Sequence, residues 1–593
     1  MSRSADRFDP AGPRHPHWIT IQSSRTVLVV VHTMTAWNRL ADILTVFDSD
    51  RRVQLVFTFP AVSDVTGDVE RQLADDGALV IPWSQALTGT FDAAIAVHHS
   101  GELHRISAPL AVLSHGIGFS KIVRHRDERR ATSDERRATS DERRATSDER
   151  RATSDERRAT SDERRATSDD VYGLGRRWLY REGTVPAAVI VPHDSDLTAL
   201  SRTTPEAVPN AVVAGDPCLD RLTASLPLRQ RYRRALGADP HTTVVTLTST
   251  WGPNSLLGRN PELIDATLAE LTLEDHIVTA IIHPNVWFAH GPWQLRRWLA
   301  GARRAGLRLI PPLHGWQATL IASDVVIGDH GAVTGYAAAL SIPTLLAAFP
   351  ESEVAPGSAA ELVGRFAPRL DRRRALPEQL GEARSRHDSD LSEQIAQRVS
   401  SRPGQCADLL RSVFYRLIGL AEPAFAAPVP PYPVAGLDAD REPLRSCRIS
   451  CRPDGVDLHI QMWPGDVAAR PRRGHRTTET YAAVEITHSR RDLRANADIL
   501  LQSADYAATD AEILRAYPAA IMVVTIVQPE RLMILHRRHG RFELEVSEPV
   551  AVPMWPAGLA AAAHHVGRQV DIDGNGGVAR LGQHRVTFRL KVI

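Results

Sequence analysis

The stretch formed by residues 323–346 constrains the fold more than any other part of the chain. The β-branched run at residues 325–327 is typical of a buried parallel strand. Residues 328–331 predict a tight turn, and a helix rich in Ala and Gly follows until Pro343 ends it before the next strand. A turn that leaves the carboxyl end of a parallel strand and opens a helix is a common ligand site in α/β proteins, and its free N–H groups favour an anion.

The same alternation of strands and helices occurs twice along the chain. This pattern predicts the α/β class, with two mostly parallel sheets that carry helices on their faces. The predicted strands are residues 26–31, 53–59, 78–81, 92–97, 110–113 and 187–191 in the first series, and 243–248, 277–282, 307–310, 325–327 and 344–346 in the second.

A chain of 593 residues is long enough for two or three domains. Residues 1–22 are polar and predicted to be disordered. Two Rossmann-like α/β domains are expected at residues 23–225 and 226–421. A Pro-rich linker is expected at 422–443, and residues 444–593 predict an α+β domain to which the sequence assigns no role.

A heptapeptide, Asp-Glu-Arg-Arg-Ala-Thr-Ser, is repeated six times without change over residues 127–168. Each copy is electrically neutral and has one small apolar residue, Ala, whereas a coiled coil needs two large apolar positions in each heptad. A solvated charged helix and a disordered loop are both compatible with this composition. The insert is therefore predicted to be solvated surface rather than core.

Composition excludes several classes of protein. Lys and Arg total 71 against 70 for Asp and Glu, which gives no net attraction to nucleic acid. Four scattered cysteines exclude a disulfide scaffold, and Cys447 and Cys451 lack the matching pair that a zinc site needs. No metal or cofactor is expected. With no apolar leader and no run of membrane-spanning length, we expect a cytoplasmic protein that contacts membranes only peripherally.

The common nucleotide motifs are missing. The sequence has no G-x-x-x-x-G-K-[ST], no G-x-G-x-x-G after the first strand, and no G-x-S-x-G. P-loop NTPases, nicotinamide enzymes and α/β-hydrolases are therefore disfavoured.

Histidines follow three predicted strands. His115 follows residues 110–113, His283 follows 277–282, and His330 follows 325–327. Parallel sheets present their ligand-binding loops at these carboxyl ends, and imidazole can act as a base or as a cation beside phosphate. Each of them could also be an ordinary capping or core histidine.

Several short segments, taken in order, resemble the CDP-glycerol:poly(glycerophosphate) glycerophosphotransferases, the teichoic-acid polymerase family. The resemblance covers roughly residues 26–420. The segments are Ser-His-Gly-Ile-Gly-Phe-Ser-Lys at 114–121, Gly-Asp-Pro-Cys-Leu-Asp at 215–220, Thr-Ser-Thr-Trp at 248–251, His-Pro at 283–284 and Gly-Asp-His-Gly-Ala at 328–332.

The resemblance implies the GT-B fold of two facing Rossmann-like domains and a nucleotide-activated donor, linked to CDP or UDP. It implies that His115 is the base that deprotonates an acceptor hydroxyl and that His283 stabilises the diphosphate or the leaving nucleotide. The implied donor-binding residues are Trp251, Asp329, His330, Gly331, Ala332 and Thr334.

This chain departs from the family at the turn. Gly331 and Ala332 replace two serines that would meet the donor phosphate, and His330 replaces an aromatic residue. Main-chain N–H groups could still hold a phosphate, with a hydroxyl supplied by Thr334. Three functions stay open: transfer of a glycerophosphate or glycosyl group, epimerisation of a sugar nucleotide, and binding or scaffolding by a catalytically inactive relative.

Overall fold

The computed structural model describes residues 21, 23–60, 67–98, 102–114, 116–123, 170–171, 173–434, 437, 442–455, 457–467, 479–548, 550–567 and 576–593. The predicted disordered N-terminus, apart from Ile21, and the whole heptapeptide insert at 127–168 lie outside these residues.

Contacts divide the chain into two compact units. The first contains Met1–Ala224, Pro350–Phe366 and Asp390–Pro430. The second contains Ser225–Phe349, Ala367–Ser389 and Pro431–Ile593. Residues 350–366 and 390–430 therefore belong to the first unit, although they follow the start of the second unit in the chain.

The first unit is built on a sheet of seven described strands in the order β3-β2-β1-β4-β5-β8-β9, all parallel. Residues 27–30, which belong to an interior strand of this sheet, are completely buried, as expected for a strand covered on both faces. A separate antiparallel pair joins β6 and β7. The strands are β1 (Arg25–Val30), β2 (Val53–Thr58), β3 (Val80–Ile81), β4 (Ala93–Ala96), β5 (Leu110–Leu113), β6 (Ile122–Val123), β7 (Asp170–Val171), β8 (Ala188–Val191) and β9 (Ala211–Val213).

Helices connect these strands and complete the unit. The helix that follows β7 has only four residues, with Gly175 as its N-cap and Tyr180 as its C-cap. The helices are Met34–Ile43, Gly67–Asp75, Trp83–Thr88, Arg176–Leu179, Asp194–Thr203, Pro217–Ser225, Ala359–Phe366, Ser389–Val399 and Cys406–Ile418.

The second unit contains a parallel sheet of five described strands in the order β12-β11-β10-β13-β14. The strands are β10 (Thr243–Ser249), β11 (His276–Ile282), β12 (Arg308–Ile310), β13 (Val325–Gly328) and β14 (Thr344–Leu346). Around them lie the helices Arg229–Ala235, Leu256–Arg259, Leu263–Glu270, Pro284–His290, Pro292–Trp298, Ala300–Arg304, Trp316–Ala322, Ala332–Ala339 and Leu376–Ser385.

The C-terminal part of this unit is a closed mixed sheet of nine described strands, in the order β15-β16-β22-β23-β21-β20-β19-β18-β17 and back to β15. The strands are β15 (Ser446–Asp454), β16 (Asp457–Pro464), β17 (Glu479–Glu485), β18 (Ile499–Ser503), β19 (Met522–Gln528), β20 (Arg531–His536), β21 (Gly540–Val546), β22 (Gly576–Leu581) and β23 (His584–Val592). Short helices Arg491–Ala495 and Asp510–Ala516 accompany them.

A third helix, Trp555–Gly567, is enclosed by this closed sheet. Its residues 556–563 are all buried and share one core with the inward side chains of the strands. Gly558 allows the close approach, since a Cβ there would lie 3.2 Å from the Met462 sulfur. Cys447 and Cys451 are free thiols in the same core, and burial raises the pKa of Cys447.

The closed sheet contacts the part of the second unit that contains the five-stranded sheet. Met462 N–H donates to a carboxyl oxygen of Glu274 at 3.1 Å, and Leu273 N–H donates to the Met462 carbonyl at 2.8 Å. The Arg304 guanidinium pairs with the fully buried Asp466 side chain at 2.8 Å.

The two parallel sheets and the mixed C-terminal region confirm the predicted α/β class with an added α+β part. None of the described helices combines the length and the apolar character that a membrane crossing requires.

Candidate functional site

The candidate site lies at the carboxyl edge of the five-stranded sheet. In the strand order β12-β11-β10-β13-β14 the direction of winding changes between β10 and β13, and ligands of open α/β sheets bind beyond that change. Asp329 follows β13, Thr250 follows β10, and His283 follows β11. The predicted residues after these three strands therefore lie on neighbouring strands of one sheet.

Asp329 ties two of these loops together. Its side chain is only 1% exposed, and its Oδ2 accepts hydrogen bonds from the N–H groups of Thr250 at 2.9 Å and Leu256 at 2.7 Å. Its Oδ1 accepts from Gly331 N–H at 2.9 Å. Burial raises the pKa of Asp329, while the three N–H donors and His330 oppose that rise. The Asp329 carboxylate thus binds main-chain N–H groups and fixes the conformation of the loops after β10 and β13.

The turn after β13 has little room for side chains. A Cβ on Gly328 would lie 2.2 Å from the Thr334 hydroxyl oxygen, and a Cβ on Gly331 would lie 2.9 Å from Asp329 Oδ1 and 3.0 Å from Thr250 Cβ. Glycine at these two positions lets the turn close tightly over the ends of β10 and β13.

The helix Ala332–Ala339 opens directly after this turn, with Gly331 as its N-cap. The first N–H groups of a helix have no partner within it, and the helix dipole favours an anion beside them. Gly331 and Ala332 are half-buried, whereas His330 is buried at 6% exposed. In the predicted phosphate site, the main-chain N–H donors would come from this end of the helix.

Thr334, the residue expected to offer a hydroxyl to the phosphate, has its side chain inside the turn. It is 1% exposed, and its Oγ1 accepts a hydrogen bond from Asp329 N–H at 3.2 Å. The hydroxyl therefore stabilises the turn from within.

His283 is half-buried and caps the helix Pro284–His290. Its main-chain N–H donates to the Ser249 carbonyl at 2.9 Å, which links the ends of β11 and β10. Its Nδ1 accepts from Asn285 N–H at 3.1 Å. In the neutral ring the proton is consequently on Nε2, which makes that nitrogen a hydrogen-bond donor.

Trp251 lies in the loop between β10 and the helix Leu256–Arg259, and its side chain is 49% exposed. Gly252 follows it with φ of +91°, a conformation that favours glycine. An exposed indole in a loop at the carboxyl edge of the sheet is suited to stacking on a planar ring.

His115, the predicted base, lies outside the described residues. The next residue, Gly116, is described, and its carbonyl accepts from the Arg39 guanidinium at 2.6 Å. Arg39 is itself held by both oxygens of the buried Asp216, at 3.1 and 3.0 Å. A buried ion pair in the first unit therefore anchors the loop that follows β5.

Sequence reasoning missed two further histidines in the first unit. His32 follows β1 and His98 follows β4, at the position where the winding of the first sheet reverses. Their ring centroids are 5.2 Å apart. Burial lowers the pKa of His98 to about 4, so this ring is neutral at physiological pH. The strand-end rule that selected His115 and His283 would also have selected these two.

Among the described side chains, no three from His, Cys, Asp and Glu are grouped as a metal site requires. The chemical groups that the described strand ends offer are imidazoles, main-chain N–H groups and a helix N-terminus.

Comparisons with known proteins give distant similarities only. No protein-family model matches the chain, and no curated protein matches it. The chain is similar to the solved structure of the wall teichoic acid polymerase TagF, with 10% identity over 67% of this chain and 90% of that one and a TM-score of 0.41.

Two other solved structures give similar values. One is the UDP-GlcNAc 2-epimerase from Neisseria meningitidis bound to UDP-GlcNAc, with 13% identity, coverage of 66% of this chain and 100% of that one, and a TM-score of 0.37. The other is a glycosyltransferase from Rickettsia africae, with 9% identity, coverage of 68% and 100%, and a TM-score of 0.34. At this distance no substrate or reaction follows from them.

Proposed function

We propose that this chain is a GT-B-type transferase that moves a glycerophosphate or glycosyl group from a CDP- or UDP-linked donor to a hydroxyl acceptor. The observation that carries the proposal is the joining of three strand-end loops at the winding reversal of the five-stranded sheet. Hydrogen bonds from Thr250 to Asp329 and from His283 to Ser249 hold these loops together.

The donor diphosphate would lie against the N-terminus of the helix Ala332–Ala339. Main-chain N–H groups there and the Nε2–H of His283 would donate to its oxygens. Trp251 would stack on the base. Asp329 would keep the turn and the loop after β10 in position rather than contact the donor.

The reaction would begin when a base, His115 in this proposal, takes the proton of the acceptor hydroxyl. The acceptor oxygen then bonds to the donor phosphorus or to the sugar carbon, and the bond to the leaving nucleotide breaks. The electron pair of that bond stays on the leaving phosphate oxygen. His283 and the helix N-terminus would stabilise the charge that develops there.

One observation favours a second candidate, a nucleotide-binding protein without turnover. Gly331 and Ala332 have no hydroxyl, and the Thr334 hydroxyl is buried within the turn. The donor phosphate would then have fewer hydrogen bonds than in the family that the sequence resembles.

A thermal-shift screen with CDP, UDP, GDP and ADP compounds tests both candidates. A ligand at a hundred times its dissociation constant stabilises the folded state by about 2.7 kcal/mol. Stabilisation by one nucleotide together with release of that nucleotide from its donor supports the transferase. Stabilisation without release supports the binding protein, and no stabilisation by any compound contradicts both.

A further inference from the structure

Three histidines lie together at the C-terminal end of the helix that the closed sheet encloses. His564 is in the last turn of this helix, His536 is the last residue of β20, and His539 lies in the turn before β21. His536 is only 3% exposed, and His564 is half-buried. Imidazole takes up a proton near neutral pH and burial opposes the resulting charge, so such a group is expected to respond to acid.

The His536 ring joins the enclosed helix to β20. Its Nε2 lies 3.0 Å from the Nδ1 of His564, and the centroids of the two rings are 5.1 Å apart. The His539 ring centroid is 4.5 Å from that of His536. Tyr481 of β17 contacts the His564 ring edge-on, with the centroids 5.6 Å apart. The last turn of the helix is therefore connected to two strands of the closed sheet through His564.

The hydrogen bonds fix which ring nitrogens carry protons. The main-chain N–H groups of Arg538 and His539 donate to His536 Nδ1 at 3.1 and 3.0 Å, so this nitrogen has no proton. The proton of the neutral His536 ring is therefore on Nε2, and Nε2 donates to His564 Nδ1. This arrangement requires both rings to be neutral.

A proton added to either ring breaks the arrangement. On His564 it would bond to Nδ1, which would then face the Nε2–H of His536, donor against donor. On His536 it would bond to Nδ1, which faces two main-chain N–H groups. The negative end of the helix dipole favours a charge on His564, so we expect this ring to take the proton first.

The segments around the pair contain no carboxylate that could compensate such a charge, since residues 531–542 and 553–567 have no Asp or Glu. On the strands beside β20, the residues paired with His536 are Met522 and Gly540, which are uncharged. The titratable or charged groups that face His536 are one from the helix and two from the turn, namely His564, Arg538 and His539. Burial, together with repulsion from these three groups, lowers the pKa of His536 to about 4.

We propose that His536 and His564 form an acid-sensitive latch, which holds the last turn of the enclosed helix against β20 and releases it when either ring takes up a proton. In the released state each ring is hydrated and has its ordinary pKa of about 6.5. The released state therefore binds more protons than the latched state between about pH 6.5 and pH 4, so the latch is stable above this interval and opens as the pH falls through it. The inference is independent of the proposed transferase function, because no residue of the candidate site takes part.

Hydrogen exchange of the full chain, followed by mass spectrometry at pH 7.5 and pH 5, tests the proposal. Exchange rates are divided by the intrinsic rate at each pH, and the ratio of the two corrected rates is the readout for each peptide. Because the pKa of His536 is about 4 when latched and about 6.5 when released, the ratio for residues 555–567 should be roughly 25-fold in favour of pH 5. Peptides from β10 to β13 of the same unit should show no such rise.

His536→Gln/His564→Gln removes both titrations and leaves two amides that can hydrogen-bond to each other. Its ratio should fall to about one, even if the variant is less stable and exchanges faster at both pH values. The matched control is His459→Gln, because His459 is a half-buried histidine of β16 whose neighbours Leu458 and Ile460 face the core, so its own side chain faces outward. The control should keep the ratio of the unaltered protein.

Three results would overturn the proposal. The first is a rise of less than about threefold for residues 555–567 of the unaltered protein, and the second is an equal rise in β10 to β13, which would mean that the whole unit opens. The third is a double variant that keeps the ratio of the control. The first two results come from the unaltered protein and decide the matter even if the double variant does not fold.

Discussion

The carboxylate of Asp329 accepts a hydrogen bond from the main-chain N–H of Thr250 at 2.9 Å and thereby joins the ends of strands β13 and β10. Leu256 and Gly331 donate to the same carboxylate. One buried side chain therefore satisfies three N–H groups from two loops. The candidate donor site depends on this carboxylate even if no ligand touches it.

Replacing Asp329 should loosen both loops. In Asp329→Ala three main-chain N–H groups lose their acceptor, at a cost of roughly 2–4 kcal/mol in the free energy of unfolding. Asp329→Asn keeps one acceptor oxygen and should lose less. Urea unfolding and nucleotide titration measure the two effects, with Asp76→Asn, an exposed turn residue, as the control. Unchanged stability in Asp329→Ala would show that these hydrogen bonds do not hold the loops.

Gly331→Ala should impair the turn because its Cβ would meet Asp329 Oδ1 at 2.9 Å. The turn must shift, so nucleotide affinity should fall by about tenfold, and the free energy of unfolding should fall by roughly 1–3 kcal/mol. Gly381→Ala is the matched control, since Gly381 lies in the helix Leu376–Ser385 and a Cβ there meets nothing within 4 Å. That change should be neutral or stabilising by up to about 1 kcal/mol.

Ala332→Ser tests the missing hydroxyl directly. Ala332 is the first residue of its helix and is half-buried, so a serine there adds a hydrogen-bond donor near the proposed diphosphate. Nucleotide diphosphates should bind roughly fivefold more tightly, which corresponds to about 1 kcal/mol. The same affinity gain for the free nucleoside would indicate an effect unrelated to phosphate.

His283 is expected to act through Nε2, because Nδ1 already accepts from Asn285 N–H. In His283→Asn the shorter side chain can still accept that hydrogen bond but cannot reach as far as Nε2. Donor affinity should fall by roughly 1.5–3 kcal/mol while stability is retained. His283→Ala should lose the affinity and also about 1 kcal/mol of stability with the cap. Retained donor affinity in both variants would remove His283 from the site.

Stability should depend on pH through Glu274. Burial raises the pKa of Glu274 from an ordinary value of 4.5 to about 8. The unfolded chain releases this proton near pH 4.5, whereas the folded protein holds it until about pH 8, so stability should fall as the pH rises through this interval.

Glu274→Gln stays neutral at every pH and can still accept from Met462 N–H. Its melting temperature should therefore decline less than that of the unaltered protein between pH 5 and pH 8, as followed by calorimetry. The exposed Glu378→Gln serves as the control. Parallel pH profiles for all three proteins would contradict the raised pKa.

Strand periodicity was sufficient to find most of the parallel strands. β5 and β14 have the predicted bounds, and β10 and β11 differ by one residue. The three-residue strand β9 is half-buried and lies at the edge of its sheet, so its apolar signal is weak. Residues 292–304 form two helices rather than one continuous helix, because Leu299, with φ of −90° and ψ of 8°, departs from helical geometry between them.

The role of each individual residue in the candidate site was harder to predict than the position of the site. Residue type and position after a strand selected Asp329, His283 and the turn, which lie at the carboxyl ends of strands of one sheet. Sequence could not show that the Asp329 carboxylate faces main-chain N–H groups or that the Thr334 hydroxyl is turned inward, since both depend on the packing of the loop after β10. His115 stays a prediction.

The helix enclosed by the closed sheet imposes an order on synthesis. Trp555–Gly567 precedes β22 and β23 in the chain, yet β22 pairs with β16 and β23 pairs with β21. The closed sheet therefore cannot close until β23 has left the ribosome, and before then the apolar helix has no complete enclosure. A nascent chain or a product truncated before β22 would expose the core of the closed sheet, and chaperones and proteases would then meet the protein first at this part of the second unit.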